Sequence, residues 1–307
     1  MRRCFSLFLL PLLLLPVGCS APRPEDFSVR VLPSPAAERP LLAVYLTEEN
    51  AVVHMEMETY VAAVVAGEMP NDWPLEALKA QAILARTFVL KFVSEKKSRY
   101  PGADISTDIA EAQAYNAEAV NDRILQAVKE SAGIILLTND GALPYTWFHS
   151  HSGGMTETAR HGIDWQGEEP GYTRITDGME ANSAAWSASF SVEEFLTACR
   201  YTGAGVTDCT SLRIAQKGKS GRAVTFLVDG TTVNAARLRI SLGSTKMRST
   251  LLTSISLENG VIHMNGLGYG HGVGLSQWGA HELALQGRTA EEILLHYYEG
   301  LRPVKAW

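Results

Sequence analysis

From Leu75 onward, apolar side chains recur at Leu75, Leu78, Ala82, Ala85 and Val89, in steps of three and four that lay one continuous stripe along a helix. Pro74 suits the entry to such a helix, and the pattern carries it to about Val93. Lys79 and Arg86, seven residues apart, project from nearly the same side of it, about 10 Å from each other. That pair could line a groove, although basic residues on a helix more often form a solvated face. Upstream, 41–46 and 51–57 flank Thr47-Glu48-Glu49-Asn50 and read as a hairpin. Val61 to Val65 read as a short buried helix, which Gly67 and Pro70 are expected to interrupt.

Downstream the pattern stays mixed. Gln113-Ala114-Tyr115 reads as a strand with Gln113 and Tyr115 on one face, and a helix follows near 120–131, stopped by Gly133. An aromatic strand around Tyr145 to His149 enters the polar turn Ser150-His151-Ser152-Gly153-Gly154, the composition of a binding loop. Ser191-Val192-Glu193-Glu194 and Thr289-Ala290-Glu291-Glu292 are capping boxes that open helices, and 223–228 and 251–257 read as strands. The expected fold class is α+β. Residues 41–176 and 259–307 form a mixed body with a surface substrate groove, and 177–258 form an inserted β-rich subdomain.

The amino terminus has a different texture. Met1-Arg2-Arg3 and the apolar run 5–15 have the charged and hydrophobic regions of an export signal, too short for a comfortable membrane span. A small residue then precedes Cys19, as in bacterial lipoprotein signals, so residues 1–19 are expected to be the signal and Cys19 the lipidated residue at the outer face of the cytoplasmic membrane, with an uncleaved anchor or a soluble secreted form as the alternatives. Residues 20–40, rich in proline, suit an extended tether. In an exported body Cys199 and Cys209 are the remaining cysteines, and a disulfide between them is expected over two buried thiols. A net charge of -6 without a Lys/Arg block argues against nucleic acid as a partner.

Several familiar signatures fail. Gly274-Leu275-Ser276-Gln277-Trp278-Gly279 is one residue too long for a nucleophile elbow, and His281-Glu282 lacks the second histidine of a zinc-protease helix, with Leu at 285. The alternating glycines 266, 268, 270, 272 and 274 do not fit the dinucleotide fingerprint. Ser94-Glu95-Lys96-Lys97 lacks the companion triplets of penicillin-binding chemistry. His149, His151 and His161 form a candidate zinc set, with hydrogen bonding the commoner use of such histidines; no cofactor is expected otherwise.

Three patches hold together. Tyr60 through Gly67-Glu68-Met69-Pro70 and 75–88, then Gln113-Ala114-Tyr115 with 149–157, and finally 270–277 with His296-Tyr297-Tyr298-Glu299-Gly300, occur in an order that resembles the stage II sporulation protein D family. The resemblance spans about 41–300 and is weakest over 177–258. It implies a lytic transglycosylase of peptidoglycan glycan strands that works beside an amidase which strips the peptides. The wider family also includes relatives described as amidase enhancers, and some members hold zinc through cysteine and histidine, so the alternatives for this chain are a non-catalytic glycan-binding protein that stimulates an amidase and a zinc-dependent wall hydrolase using the histidine loop. By this resemblance Glu68 takes the catalytic place, and Lys79 and Arg86 fall on the family's basic helix positions. Gln113, Tyr115, His149, Ser152, Gly153, His271, Ser276 and Gln277 are expected to line the groove.

A lytic transglycosylase needs only one carboxyl group, because the 6-hydroxyl of the muramic acid being cut closes onto its own anomeric carbon. Glu68 would donate a proton and take one back, in apolar surroundings supplied by Met69, Pro70 and Trp73. Lys79 and Arg86 are expected to stand away from it and to meet the lactyl carboxylates of peptide-stripped strands.

Overall fold

The computed structural model describes residues 40–307. The expected export signal, the candidate lipidation site Cys19 and all of the tether but Pro40 lie outside these residues. In chain order the elements are β1 (Leu41–Leu46), β2 (Ala51–Glu56), α1 (Met57–Glu68), α2 (Leu75–Glu95), β3 (Ile105–Ser106), α3 (Asp122–Glu130) and β4 (Ile134–Leu137). Then come β5 (Phe148–His149), α4 (Ala159–Gly162), β6 (Trp186–Ser191), α5 (Val192–Tyr201), β7 (Leu212–Lys217), β8 (Ala223–Val228), β9 (Thr231–Asn234) and α6 (Ala235–Ser241). The last are β10 (Leu252–Glu258), β11 (Val261–Gly266), β12 (Leu275–Ser276), α7 (Gln277–Leu285), α8 (Ala290–Tyr297) and β13 (Arg302–Lys305). The fold is α+β, with its strands spread over several small sheets.

Two compact units emerge. The first runs to Thr146 and adds Ala284–Leu295 and Gly300–Trp307; the second comprises Trp147–Leu283 and His296–Glu299. This division departs from the expected insertion over 177–258. The apolar core of the second unit runs from Trp186 through Phe226 and Leu252 to Ile262 and Met264, since β11 pairs with both β10 and β6 and brings residues beyond 258 into the same cluster.

In the first unit β1 pairs antiparallel with β2 from Leu41↔Glu56 to Leu46↔Ala51, the hairpin read from the sequence, and parallel with β3. α1 is longer than expected. Gly67 lies inside it, and the helix ends at Glu68, where Met69 turns extended and its N–H reaches the Val65 carbonyl. Glycine is needed there for space: a Cβ on Gly67 would stand 2.8 Å from the Ala114 carbonyl carbon and 2.9 Å from the Tyr115 nitrogen. α2 keeps its predicted stripe, with Leu78, Ala82, Ala85 and Val89 fully buried. The Asn121 side chain caps α3 by accepting from Ile124 N–H, and β4 pairs antiparallel with β13.

Gln113-Ala114-Tyr115 is not a strand. These residues run as irregular chain, their backbone pressed against the end of α1 in place of a sheet neighbour.

In the second unit β10, β11 and β6 form one antiparallel sheet, and β7, β8 and β9 another. β5 and β12 pair in parallel, setting Ser276 beside His149. The capping box of α5 is formed as predicted: Ser191 Oγ accepts from Glu194 N–H, and the Glu194 carboxylate accepts from Ser191 N–H. In the first unit Thr289 and Glu292 make the same exchange at the start of α8. Cys199 and Cys209 are two separate buried thiols in the apolar cluster, not the expected disulfide. Burial pushes the Cys199 thiol up to about 12, with Cys209 as the next cause, so both pack as small apolar groups. Among the described residues no helix is long and apolar enough to cross a membrane.

Candidate functional site

Glu68 is the last residue of α1 and only 5% exposed. Its Oε1 accepts a 2.8 Å hydrogen bond from the Ala114 N–H, a bond made possible by the close approach that Gly67 permits. Met69 and Trp73 are buried as expected of its apolar neighbours, whereas Pro70 is exposed. The same approach holds Tyr115 against α1, its ring 5.6 Å from that of Tyr60. Burial raises the Tyr115 hydroxyl, and the Glu49 carboxylate adds to the effect. Gln113 is fully buried, and neither of its amide atoms has a hydrogen-bond partner in the protein. Gln81 on α2, which the sequence reading did not single out as a site residue, is in the same condition. Burying an unpaired carboxamide costs about 1–3 kcal/mol per polar group, so these two are marked positions of the first unit.

Lys79 and Arg86 do not form the expected pair of groove cations. Arg86 is fully buried: Nε donates to both oxygens of Glu58 at 3.0 and 2.9 Å, and Nη2 lies 2.7 Å from Glu58 Oε2. Its remaining donors reach the carbonyls of Val128 and Ile134 and the Ser131 hydroxyl, so it ties α1 and α2 to the end of α3 and the start of β4. Burial lowers the guanidinium from its ordinary value, and Glu58 opposes that shift. Lys79 is partly exposed and engaged with Glu76 at 2.7 Å and Glu130 at 3.4 Å. The stripe turned both residues toward one side of α2, but α3 covers that side.

The second unit gathers His149, His151, Ser152, Gly153, His271, Ser276 and Gln277, all near β5, β12 and the start of α7. His151 and Tyr269 exchange backbone hydrogen bonds of 2.9 and 2.7 Å, fastening the polar turn to the glycine-rich segment. Glu180 carries much of the remaining order. Its Oε1 accepts from Ser152 N–H at 2.5 Å and from the Ser276 hydroxyl at 2.5 Å, and its Oε2 from the Ser152 hydroxyl at 2.9 Å. The neighbouring Arg222, also fully buried, donates from Nη2 to the Ser152 carbonyl at 2.5 Å. Gly272 is required beside it, since a Cβ there would come within 2.5 Å of Arg222 Nε. Burial lowers Arg222 to about 10, against the pull of Glu157 and Glu180.

Glu157, buried and bonded to the Ser220 hydroxyl and Thr158, completes this polar core. Glu180, Arg222 and Arg239 gave no sequence signal as isolated charges in the least recognisable stretch. Glu157 stood inside a recognised motif and was passed over.

The histidines sort by tautomer. His149 Nδ1 lies 3.2 Å from the Val273 carbonyl, which accepts, so Nδ1 carries the proton and Nε2 keeps its lone pair. His271 Nδ1 accepts from Val273 N–H at 3.0 Å and His151 Nδ1 from Gly153 N–H at 3.0 Å, leaving N–H at Nε2 of both neutral rings. Burial, then Arg239 and Arg222, push His271 down to about 3. Burial, His271 and Arg222 hold His149 well below its ordinary value. His161 faces elsewhere, 3.6 Å from Glu157. The candidate set His149, His151 and His161 therefore does not fit zinc, which needs converging lone pairs. Among the described residues no three His, Cys, Asp or Glu side chains converge as metal ligands.

Comparison with known proteins agrees with the motif order. Residues 45–137 match the family described as stage II sporulation protein. The chain is 31% identical to stage II sporulation protein D of Bacillus amyloliquefaciens over 277 residues, covering 84% of this chain and 77% of that protein. It is 30% identical to stage II sporulation protein D of Bacillus subtilis (strain 168), with the same coverage of 84% and 77%. The amidase enhancer of Bacillus subtilis (strain 168) is 26% identical over 289 residues, 77% of this chain and 39% of that protein. With its match to the family model and relatives at 31% and 30% identity over most of both chains, the chain belongs to the stage II sporulation protein D family.

Proposed function

We propose that this protein is an exported lytic transglycosylase that cuts peptidoglycan glycan strands, leaving 1,6-anhydro-muramic acid ends, with Glu68 as acid and then base. One observation carries the reading: the Glu68 carboxyl group at the end of α1 is removed from water and oriented by a 2.8 Å hydrogen bond from a backbone N–H, while Lys79 and Arg86 are engaged with other carboxylates. A one-carboxyl mechanism needs such a group, buried and oriented. Glu68 gives its proton to the departing glycosidic oxygen. It then accepts the proton of the 6-hydroxyl as that oxygen closes onto the anomeric carbon, so no water enters the product.

Tyr115 in the first unit, and His149, Gly153, His271 and Gln277 in the second, remain the candidates for glycan contact, whereas Gln113, Ser152 and Ser276 are fully buried and would support the site without touching the strand. Neutral histidines suit hydroxyl and acetamido groups. Lipid attachment through Cys19 at the outer membrane face and partnership with a peptidoglycan amidase belong to the same proposal. The name of the amidase-enhancer relative supports a second reading, a glycan-binding protein that stimulates an amidase without cutting.

The two readings separate on peptide-stripped glycan strands. Glu68→Gln should fold and bind glycan yet lose at least about 10²-fold in rate, the scale of general acid–base catalysis, with wild-type products one water lighter than hydrolysed ends. Reducing ends that carry oxygen from water would sink the transglycosylase reading, and no cleavage at all by wild type would favour the enhancer.

A further inference from the structure

A hollow of about 380 Å³ opens on the second unit between α5 and α6. Ala198 and Leu242, both buried, contribute apolar surface to it. Its polar lining is rich in oxygen: the hydroxyls of Ser191, Thr197 and Ser241 and the carboxylates of Glu193 and Glu194. Tyr201, the last residue of α5, also lines it and is 80% exposed. An aromatic ring so open offers a flat apolar face.

Lys246 reaches Glu194 at 2.9 Å, and Arg200 donates to the Thr197 hydroxyl at 2.7 Å. Among the described residues Glu193 is the lining carboxylate with no salt bridge to it. Such a lining accepts hydrogen bonds and offers an aromatic face, and the volume lies at the low end of the range for small-molecule sites. A pyranose ring brings the complement: hydroxyl donors around its edge and C–H groups on its faces.

We infer that the α5–α6 hollow is an accessory saccharide site that takes an uncharged amino-sugar unit, of the N-acetylglucosamine class, with Tyr201 beneath the ring and Glu193 accepting from its hydroxyls. The inference rests on the glycan reading above, and it adds a contact in the second unit that holds the polymer without touching the reacting bond. An uncharged sugar fits and a muramic acid does not, because its lactyl carboxylate would face Glu193.

The test uses the exported full-length protein carrying Glu68→Gln, so that no turnover complicates binding, with the N-acetylglucosamine trimer as probe and backbone amide NMR as readout. Saturable shifts should concentrate on α5 and α6. Tyr201→Ala should weaken binding at least about fivefold, the scale of one lost aromatic contact, and Glu193→Gln should weaken it less. Absence of saturable shifts at millimolar trimer, trimer affinity unchanged by Tyr201→Ala, or tighter binding of a muramic-acid disaccharide would each overturn the site. Tyr201 is exposed, so its replacement leaves the fold intact, and the readout does not depend on Glu68. Failure here is therefore separable from failure of the cleavage mechanism.

Discussion

Arg86 provides a direct contest between a structural and a substrate-reading role. In Arg86→Ala, Glu58 loses contacts of 3.0, 2.9 and 2.7 Å to a buried cation, and the carbonyls of Val128 and Ile134 and the Ser131 hydroxyl lose donors. Glu58 would still accept from Gly133 N–H at 3.0 Å and the Trp307 indole at 3.2 Å, two neutral donors in place of a charge. Removing one partner of a buried ion pair costs about 3–5 kcal/mol. At about 2–4 °C per kcal/mol for a folding unit of this size, that lowers Tm by roughly 6–20 °C. Urea denaturation followed by tryptophan fluorescence, beside thermal scans, measures both.

The double substitution Glu58→Gln with Arg86→Met should recover much of the loss, because it removes the stranded carboxylate together with the cation. Had Arg86 read lactyl carboxylates, Arg86→Ala would keep its stability and lose affinity for stripped glycan. A stability within about 1 kcal/mol of wild type, half or less of what breaking a buried pair costs, would refute the clamp.

Three further outcomes are expected. Gly67→Ala gains helix propensity of about 1 kcal/mol, yet its Cβ meets the Ala114 backbone at 2.8 Å, so the net effect should be destabilisation and altered amide shifts over 113–115; a more stable variant with unchanged shifts would contradict this. His271 is held at about 3 when folded and near 6.5 when unfolded, so the unfolded chain binds the extra proton and stability falls as pH drops from about 6.5, by at most about 1.4 kcal/mol per pH unit. His149 and His151, also lowered, add to the slope in the same sense, so His271→Gln should make unfolding free energies between pH 6.5 and 5 less steep by the His271 share alone. Cys199 and Cys209 should resist alkylation in the folded protein and both label after denaturation without reductant; recovery of a linked peptide would show the thiols paired.

What the sequence disclosed was local. The stripe of α2, the hairpin of β1 and β2, and both capping boxes are written in residues at most a few positions apart, and each formed where its pattern lay. Gln113-Ala114-Tyr115 had the alternation of a strand, but alternation cannot reveal whether a partner strand exists, and here a helix end took that place. Arg86 was misread for a similar reason: its environment depends on Glu58, 28 residues earlier, and on α3, some 40 residues later. The spacing of Cys199 and Cys209 fixed their proximity and not their bonding. The motif order brought Glu68 and the histidine loop to attention, whereas Glu180 and Arg222, which hold that loop in shape, sit outside any motif.

The bond between Ala114 N–H and Glu68 has a consequence for how the site can vary. Because the donor belongs to the main chain, ordinary replacements of the alanine leave it in place, and the methyl group can drift through many side chains without touching the carboxylate's anchor. Proline alone among the natural residues lacks that hydrogen. The anchor is thus nearly invisible to mutation at its own position and exposed to mutation next door, at Gly67, where any added carbon forces the two backbones apart. A deep mutational scan should show a tolerant column at 114, broken at proline, beside an intolerant one at 67.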